Sequence, residues 1–332
     1  MCTRATYLGP NDVVITTRSL DWTVPMPTSL WVFPAGLSRH GAAGPDSLEW
    51  TSRFGSVVAC GYTGGSFDGV NERGLAANLL YLAESDYGTR APHDPRKPIS
   101  VAAWAQYALD SFATTAEAVD ALATEPLVPV LLMPPDGHPG TAHLALCDAT
   151  GDSAIFEYID GALRIHHGRQ YQVMTNSPVF DEQLALNAYW ETIGGDVMLP
   201  GTSRAADRFV RASFHIKAIP QTDDPVKALA GAFSVIRSVS VPYGVNTPGA
   251  PNIAMTQWRT VIDHKNRVYY FESAESPYLL WLDLADLDLA VGAPTLKLTL
   301  DEAAALLADN AYVSGNAADH LSAAEPYVFL EA

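Results

Sequence analysis

The chain begins Met1-Cys2-Thr3, and the polar stretch Thr16-Thr17-Arg18-Ser19-Leu20-Asp21-Trp22 follows soon after it. Aminopeptidases readily remove an initiator methionine when the next side chain is as small as cysteine. Cys2 would then carry both a thiol and a free α-amine, whose ordinary pKa of about 8 lets it accept the thiol proton near neutral pH. Such a residue supplies a nucleophile together with its base, as catalysis by an N-terminal nucleophile requires.

The first half of the chain predicts strands, one helix and further strands. Short aliphatic or β-branched runs bounded by Gly, Pro and Asp predict strands at Val13–Arg18, Ser29–Phe33, Ser56–Tyr62 and Leu75–Leu82. Ala and Leu at spacings of three and four predict one helix over Val101–Leu122. Strands return at Pro129–Met133, His143–Cys147, Ala154–Tyr158 and Leu163–His166.

The second half predicts helices and then a hairpin. The helices span Asp181–Ile193, Arg204–Ile219 and Pro225–Ser238, the hairpin joins Trp258–Asp263 to Val268–Glu272, and a short helix covers Asp301–Asp309. Antiparallel hairpins dominate, without the regular alternation of a doubly wound fold. This order favours an α+β fold with helices outside two antiparallel sheets. No linker divides the chain, so we expect one domain over residues 1–332.

Composition narrows the function. The net charge of −17 argues against nucleic acid, whose phosphates need a basic face, and against an anionic membrane surface. No apolar run reaches the ~18 residues of a membrane span, and no leader pattern opens the chain. We expect a soluble, cytoplasmic protein acting on a small molecule, or a secreted or periplasmic one if a leader was trimmed before Cys2.

Neither a metal site nor a cofactor site is evident. Cys2, Cys60 and Cys147 are too few and too scattered for a disulfide framework or a zinc site. His166-His167 lacks partners at ligand spacing and is better interpreted as a solvated strand end. The Gly-rich run from Gly61 to Gly65 lacks the Lys-Ser/Thr of a phosphate-binding loop. We therefore predict no metal and no cofactor.

Several polar residues stand where apolar ones are expected. Arg18 and Asp21 end an aliphatic strand, Asn176 interrupts the run from Val173 to Pro178, and Arg237 lies on an apolar helix. Each has a structural explanation: a salt bridge for the first two, a turn residue for Asn176 and a helix C-terminal cation for Arg237. Taken together with Cys2, they form a pattern.

That pattern resembles the choloylglycine hydrolase family, N-terminal nucleophile hydrolases that comprise bile salt hydrolases and penicillin V acylases. The matching motifs run in order from residue 2 to about residue 272. They are Met1-Cys2-Thr3, Arg18-x-x-Asp21-Trp22, Asn71-Glu72-Arg73-Gly74-Leu75, Thr175-Asn176-Ser177-Pro178, Arg208-Phe209-Val210-Arg211-Ala212 and Arg237-Ser238-Val239. The resemblance implies a four-layer αββα sandwich of two antiparallel sheets flanked by helices.

The resemblance also implies roles around the nucleophile. Cys2 would supply the thiolate and, once Met1 is gone, the α-amine. Arg18 would lie beside the thiol and favour the thiolate. Asp21 would orient the α-amine by accepting its hydrogen bonds.

Further residues follow from the same resemblance. Asn176 and the backbone N–H of Tyr81 would donate to the oxyanion, and Arg237 would complete the polar site. Bile salt hydrolases usually carry asparagine at the position of Tyr81, and penicillin V acylases carry tyrosine. Trp22 and Tyr81 would then line the acyl pocket.

The leading hypothesis is an N-terminal cysteine amidohydrolase that cleaves penicillin V or related N-acyl amides, including N-acyl homoserine lactones, through a thioester. The alternatives are a bile salt hydrolase and an inactive binding protein on the same fold. A papain-like site on Cys60 or Cys147 is a further rival, but neither cysteine lies in a reactive-looking context. Many family members use an insertion between Asn176 and Arg208 for tetramer assembly. It is compact here, which leaves a dimer or a tetramer open.

Overall fold

The computed structural model describes residues 2–91, 93–134, 136–249, 253–276, 279–300 and 314–332. Two large sheets dominate the fold. Sheet A has seven strands, in the spatial order β14 (Val173–Met174), β1 (Cys2–Leu8), β2 (Val14–Asp21), β15 (Thr256–Asp263), β16 (Val268–Ser273), β17 (Leu279–Asp283) and β19 (Gly315–Asn316). Sheet B has nine, in the order β13 (Ala162–His167), β12 (Ser153–Ile159), β11 (Ala142–Cys147), β8 (Ala76–Tyr81), β7 (Gly65–Asn71), β6 (Ser56–Gly61), β3 (Thr28–Phe33), β18 (Leu296–Thr299) and β20 (Ser322–Ala323).

Two small sheets and the helices complete the fold. The small sheets pair β4 (Ser38–His40) with β5 (Glu49–Thr51), and β9 (Lys97–Ser100) with β10 (Leu127–Val130). Among the described residues, the α-helices are α1 (Val101–Ser111), α2 (Thr115–Leu122), α3 (Phe180–Ile193), α4 (Ala205–Ala218) and α5 (Pro225–Val239). Single 3₁₀ turns lie at Leu284–Asp286 and Ala318–His320.

The layers stack in the order helix, sheet, sheet, helix. Helix α1 packs on β7 and β8 of sheet B, whereas α4 and α5 pack on β1 and β2 of sheet A, and α3 packs against α4. Both sheets are antiparallel apart from the contact of β17 with β19. The predicted αββα sandwich is confirmed. In the described part of the chain, no helix is both long and apolar enough to cross a membrane.

The inner faces of the two sheets form an apolar core. Fully buried side chains on these faces include Val57, Val70 and Ile155 of sheet B and Ile262 and Tyr269 of sheet A. A second core lies between sheet B and α1, around Trp104 and Leu109. Because both faces of each sheet are covered, polar side chains in their strands must find partners inside the protein.

Strand β2 distributes its polar side chains between two environments. Successive strand residues point to opposite faces, so residues three apart, such as Arg18 and Asp21, lie on opposite sides of sheet A. Cys2 pairs with Leu20, and Thr3 pairs with Ser19. This register places Cys2 and Arg18 on the inner face, toward sheet B, and Thr3 and Asp21 on the outer face, beneath α4.

Two local predictions were wrong, and the first strand was missed. The single helix over Val101–Leu122 is two helices, because Thr114 accepts from the Glu117 N–H and starts α2 with a capping box. The strand at Pro129–Met133 begins and ends earlier, as β10. Strand β1 was not predicted, because polar residues interrupt its apolar ones and leave no continuous apolar run in the sequence.

The other predicted elements match the structure within a few residues. Strand β7, which has no hydrophobic pattern, was also missed, as were short strands such as β4, β5, β9 and β14. The run from Gly61 to Gly65 connects β6 with β7, and His166-His167 ends β13, as expected. The predicted helix Asp301–Asp309 lies outside the described residues.

His264 connects the two sheets. It lies just after β15 and is buried, with Nδ1 2.8 Å from the Gly74 carbonyl of sheet B's β7–β8 turn and Nε2 2.7 Å from Thr16 Oγ1 on β2. The carbonyl only accepts, so Nδ1 carries the proton and Nε2 accepts from the Thr16 hydroxyl. Burial lowers the pKa of His264 to about 4.

We predict that His264 makes the protein less stable in mild acid. Because its pKa is lower in the folded state, protons bind preferentially to the unfolded chain. Its contribution is complete above about pH 6.5 and is lost as the pH falls toward 4, by up to ~1.4 kcal/mol per pH unit. Urea unfolding at pH 7, 6 and 5 should show a steeper fall for wild type than for His264→Gln. Parallel curves would contradict this assignment.

Candidate active site

Cys2 lies at the base of a cleft, next to a buried cation. Its side chain is buried, and Arg18 Nη2 lies 3.4 Å from its Sγ and 3.2 Å from the Leu79 carbonyl. The guanidinium carbon of Arg18 lies 4.4 Å from the centre of the Trp258 ring. A fixed positive charge beside a thiol is the environment that favours a thiolate nucleophile.

The charge of Arg18 is only partly satisfied by its surroundings. Within the described residues, its Nε and Nη1 atoms have no hydrogen-bond partner, and no carboxylate forms an ion pair with it. Asp68 is buried nearby and accepts from Tyr269 Oη at 2.7 Å and Asn78 Nδ2 at 2.6 Å. Burial raises the pKa of Asp68, although the charge of Arg18 opposes this. The guanidinium therefore remains available to the Cys2 sulfur.

Arg208 organises the outer face of sheet A. Projecting from α4, it donates from Nη1 to the Cys2 carbonyl at 2.8 Å and to Thr3 Oγ1, and from Nη2 to Asn176 Oδ1 at 3.2 Å. The same Nη1 lies 3.3 Å from Asp21 Oδ2. Burial lowers the pKa of Arg208, and the charge of Asp21 opposes that effect. One cation thus connects the Cys2 backbone, Asp21 and Asn176.

The backbone nitrogen of Cys2 is held by an amide oxygen. It donates to Asn176 Oδ1 at 2.5 Å. Asp21 was expected to accept from this nitrogen. Its side chain lies on the outer face of sheet A, where it accepts a hydrogen bond from Thr256 Oγ1 at 2.6 Å and pairs with Arg208. Among the described contacts, the acceptor that touches the Cys2 nitrogen is therefore Asn176.

Asn176 and Tyr81 place hydrogen-bond donors on one side of the nucleophile. Asn176 Nδ2 donates one hydrogen to the Tyr81 carbonyl at 2.5 Å, and an amide nitrogen carries two. Leu82 N donates to the Thr141 carbonyl, so Tyr81 and Ala142 form a non-hydrogen-bonded pair. In such a pair the N–H and C=O of Tyr81 both point away from β11, toward Asn176. The predicted oxyanion donors are adjacent.

The cleft above Cys2 is apolar and has aromatic walls. Its empty space, part of which is open to solvent, is about 630 Å³. Its aromatic lining residues are Trp22, Tyr62, Phe67, Tyr81 and His138. The Trp22 and Tyr81 rings meet edge to face, with centroids 5.4 Å apart. The two predicted substrate-binding residues therefore lie together in the cleft wall.

A single carboxylate fixes two of these aromatic residues. Asp136, on the loop before β11, accepts from Trp22 Nε1 at 2.6 Å and from Tyr62 Oη at 2.5 Å through the same oxygen, Oδ2. Its other oxygen accepts from the His138 N–H at 3.0 Å. Sequence reasoning missed Asp136, because its loop bears no motif. It holds the cleft walls in one arrangement.

The structure does not bring Arg237 to the cleft lining or into a described contact with Cys2, contrary to the expectation that it completes the polar site. Arg237 is half exposed and pairs with Glu272, with Nη2 2.8 Å from Oε1. It lies in the last turn of α5, where a cation complements the helix dipole. Arg208 occupies the position beside Cys2 instead. The motif that begins at Arg208 was recognised in the sequence, but no role was assigned to the Arg208 side chain.

The other two cysteines are poor candidates for a nucleophile. Cys60 and Cys147 are buried in strands, and neither lines the cleft above Cys2. Burial raises the pKa of Cys147, which opposes thiolate formation. Within the described residues, no three His, Cys, Asp or Glu side chains cluster as a metal site would require.

Comparison with known proteins places these residues in a family context. Residues 2–301 match the family described as linear amide C–N hydrolases, choloylglycine hydrolase family. The chain is 50% identical to penicillin V acylase of Pectobacterium atrosepticum, and the match covers 99% of this chain and 92% of that protein.

Two solved structures are also similar. Penicillin V acylase from Agrobacterium tumefaciens is 54% identical, with a TM-score of 0.91 and complete coverage of both chains. The R18L variant of conjugated bile acid hydrolase from Clostridium perfringens is 20% identical, with a TM-score of 0.77, and the match covers 90% of this chain and 97% of that chain. The second similarity concerns the fold alone.

We predict opposite outcomes at the two arginines. Arg208→Lys keeps a positive charge but cannot reach the Cys2 carbonyl, Asn176 and Asp21 together, so the turnover number should fall at least about tenfold. Arg237→Ala should stay within about twofold of wild type, because it breaks only a half-exposed ion pair. Steady-state kinetics and circular dichroism of both variants test this. A loss confined to Arg237→Ala would restore the original assignment.

Proposed function

Since the chain belongs to the choloylglycine hydrolase family of linear amide C–N hydrolases, we propose that Cys2 is its N-terminal nucleophile and that it hydrolyses N-acyl amides such as penicillin V. The observation that carries the proposal is the position of Cys2. Its sulfur lies beside Arg18 at the base of the apolar cleft, and its nitrogen is held by Asn176. An inactive binding protein would have no use for a buried guanidinium aimed at a thiol, because an incompletely paired buried charge destabilises the fold.

Acylation begins with proton transfer within Cys2. After Met1 is removed, the α-amine takes the thiol proton and Sγ attacks the amide carbonyl carbon. The carbonyl electrons move to oxygen, and that oxyanion accepts from Asn176 Nδ2 and the Tyr81 N–H. When the carbonyl re-forms, the C–N bond breaks and the α-ammonium gives its proton to the leaving nitrogen. The free amine departs and a thioester remains on Cys2.

Deacylation uses the same groups in reverse roles. The α-amine takes a proton from water, whose oxygen attacks the thioester carbonyl, and the same donors stabilise the second oxyanion. Collapse breaks the C–S bond, so the acid is released and the thiolate recovers the proton. Arg18 stabilises the thiolate whenever it is present, and Arg208 keeps the Cys2 carbonyl, Asp21 and Asn176 in a fixed arrangement.

The cleft favours slender or flat acyl groups. Trp22, Tyr62 and Tyr81 can stack on a phenoxyacetyl ring or lie along an alkyl chain. Both penicillin V and N-acyl homoserine lactones carry such groups next to a linear amide. Asp136 ties Trp22 to Tyr62, which limits how far the walls can separate for a broad steroid. This geometry favours the acylase function over bile salt hydrolysis.

We predict that hydrolysis depends on the Cys2 thiol. Cys2→Ala should abolish turnover with a nearly unchanged melting temperature, because the thiol reacts but packs little. Cys2→Ser should be far slower than wild type, since an alkoxide is harder to form than a thiolate. Intact-mass analysis should show that active enzyme lacks Met1. The matched control is Cys60→Ala, which should keep activity, and the reverse pattern would support a papain-like site.

We also predict the substrate preference. The value of kcat/KM for penicillin V, or for a long-chain acyl homoserine lactone, should exceed that for glycocholate at least about tenfold, or ~1.4 kcal/mol of transition-state binding. Side-by-side kinetics with one enzyme preparation measure the ratio. Equal or faster glycocholate hydrolysis would assign the protein to the bile salt branch and leave the Cys2 mechanism intact.

A further inference from the structure

A buried acid–histidine pair lies behind Asn176 and is not used by the mechanism above. His143 on β11 and Glu157 on β12 are both buried on the inner face of sheet B, where apolar residues are expected. The register pairs Leu144 with Phe156, so the two side chains lie directly opposite each other. His143 Nδ1 is 2.8 Å from Glu157 Oε1.

The histidine reaches from sheet B to the chain that carries Asn176. His143 Nε2 lies 2.8 Å from the Thr175 carbonyl, just past β14 at the edge of sheet A. A carbonyl only accepts, so Nε2 carries a proton, and Nδ1 donates as well when Glu157 is ionised. Glu157 then determines the ring orientation at Nδ1, and its second oxygen accepts from the Phe180 N–H at 3.1 Å. Burial alone raises the pKa of Glu157, but its hydrogen bond and charge interaction with His143 outweigh this and lower it.

Gln183 holds the same segment from the helical side. Projecting from α3, it donates from Nε2 to the Asn176 carbonyl and, at 2.6 Å, to the Pro178 carbonyl. Its Oε1 accepts from Thr175 Oγ1 at 2.7 Å. Residues 175–178 are therefore held from two layers of the sandwich. This leaves Asn176 little freedom to move relative to Cys2.

We propose that His143, oriented by Glu157 and assisted by Gln183, is a positioning residue that sets the Asn176 amide at the oxyanion. The proposal rests on the proposed function, because it concerns the same reaction. Its physical basis is that an oxyanion donor works only when preorganised, and that misplacement by about 1 Å can cost on the order of 10²-fold in rate. His143 is not one of the residues that line the cleft, and its described side-chain contacts are with Glu157 and Thr175, so it acts through residue 176.

Two substitutions at His143 test whether its hydrogen bond to the Thr175 carbonyl matters, or only the presence of a buried polar side chain. The Gln side chain of His143→Gln can place its amide nitrogen near the position of Nε2 and still donate to the Thr175 carbonyl. The shorter His143→Asn can reach Glu157 but not Thr175. We expect kcat to fall on the order of 10²-fold in His143→Asn and to stay within about fivefold of wild type in His143→Gln, with KM changing less than about threefold in both.

Glu157→Gln is the conservative control. Its amide can donate to His143 Nδ1 and accept from the Phe180 N–H, so it preserves both contacts and should stay near wild-type kcat. Gln183→Met has similar length but lacks the donors, and it tests the same clamp from α3 if His143→Asn fails to fold. We expect Gln183→Met to lower kcat at least about tenfold with little change in KM.

A second reaction of Cys2 distinguishes a misplaced Asn176 amide from a general disruption of the site around Cys2. Iodoacetamide alkylates a thiolate by displacing iodide, which forms no oxyanion. The alkylation rate at Cys2, located by mass spectrometry, should therefore be unchanged within about twofold in the slow variants. A parallel loss of alkylation and turnover would mean a structural role only, and wild-type kcat in His143→Asn and Gln183→Met would overturn the proposal. Absence of amide hydrolysis by wild type would instead reject the proposed function.

Discussion

The antiparallel pairing of β1 with β2 is the constraint on which the site depends. Cys2 is opposite Leu20 at one end of this ladder, so the nucleophile belongs to a buried strand rather than to a loose terminus. The same pairing sets which residues share a face with it. Because side chains alternate along a strand, Arg18 approaches the Cys2 sulfur from the inner face while Thr3 and Asp21 face the helices.

Two arginines, Arg18 of β2 and Arg208 of α4, contact Cys2 in this arrangement. Arg18 and Arg208 are both almost completely buried, and burying a cation without full pairing costs several kcal/mol. Arg208 recovers much of that cost through Asp21 and backbone or amide acceptors. Arg18 does so less completely: among the described residues its Nε and Nη1 have no hydrogen-bond partner, and its Nη2 lies beside the Cys2 sulfur. Arg18, whose burial destabilises the fold, is thus the group next to the Cys2 sulfur. A site that stabilises a developing charge needs such a group already in place.

The two halves of the site come from different layers. Sheet A carries Cys2 and Arg18, whereas Tyr81 ends β8 of sheet B, and Asn176 follows the edge strand β14. Their relative placement depends on contacts that cross the sandwich. His143 and Glu157 make one such contact, and the loop around Asp136 makes another by holding Trp22 to Tyr62. Chemistry at Cys2 and the shape of the acyl cleft are therefore both set by packing between layers.

Local patterns determined much of the fold and part of the site. Periodicity located most of the longer strands and the later helices, since each depends on which neighbours are apolar. Cys2, Arg18, Asp21 and Asn176 stood out because a polar residue in an apolar element must find a partner or a function. By the same criterion His143 and Glu157 could have been recognised, as they interrupt the strands of β11 and β12.

Only the tertiary structure decided which of several arginines reaches Cys2. Arg208 and Arg237 both lie on helices over sheet A, and their distance from the nucleophile depends on how those helices pack. Arg208 points inward beneath α4, whereas Arg237 ends α5 at the surface. Asp136 also escaped notice, because its partners are far away in sequence. Contacts of this kind are fixed by long-range packing, which no window of neighbouring residues encodes.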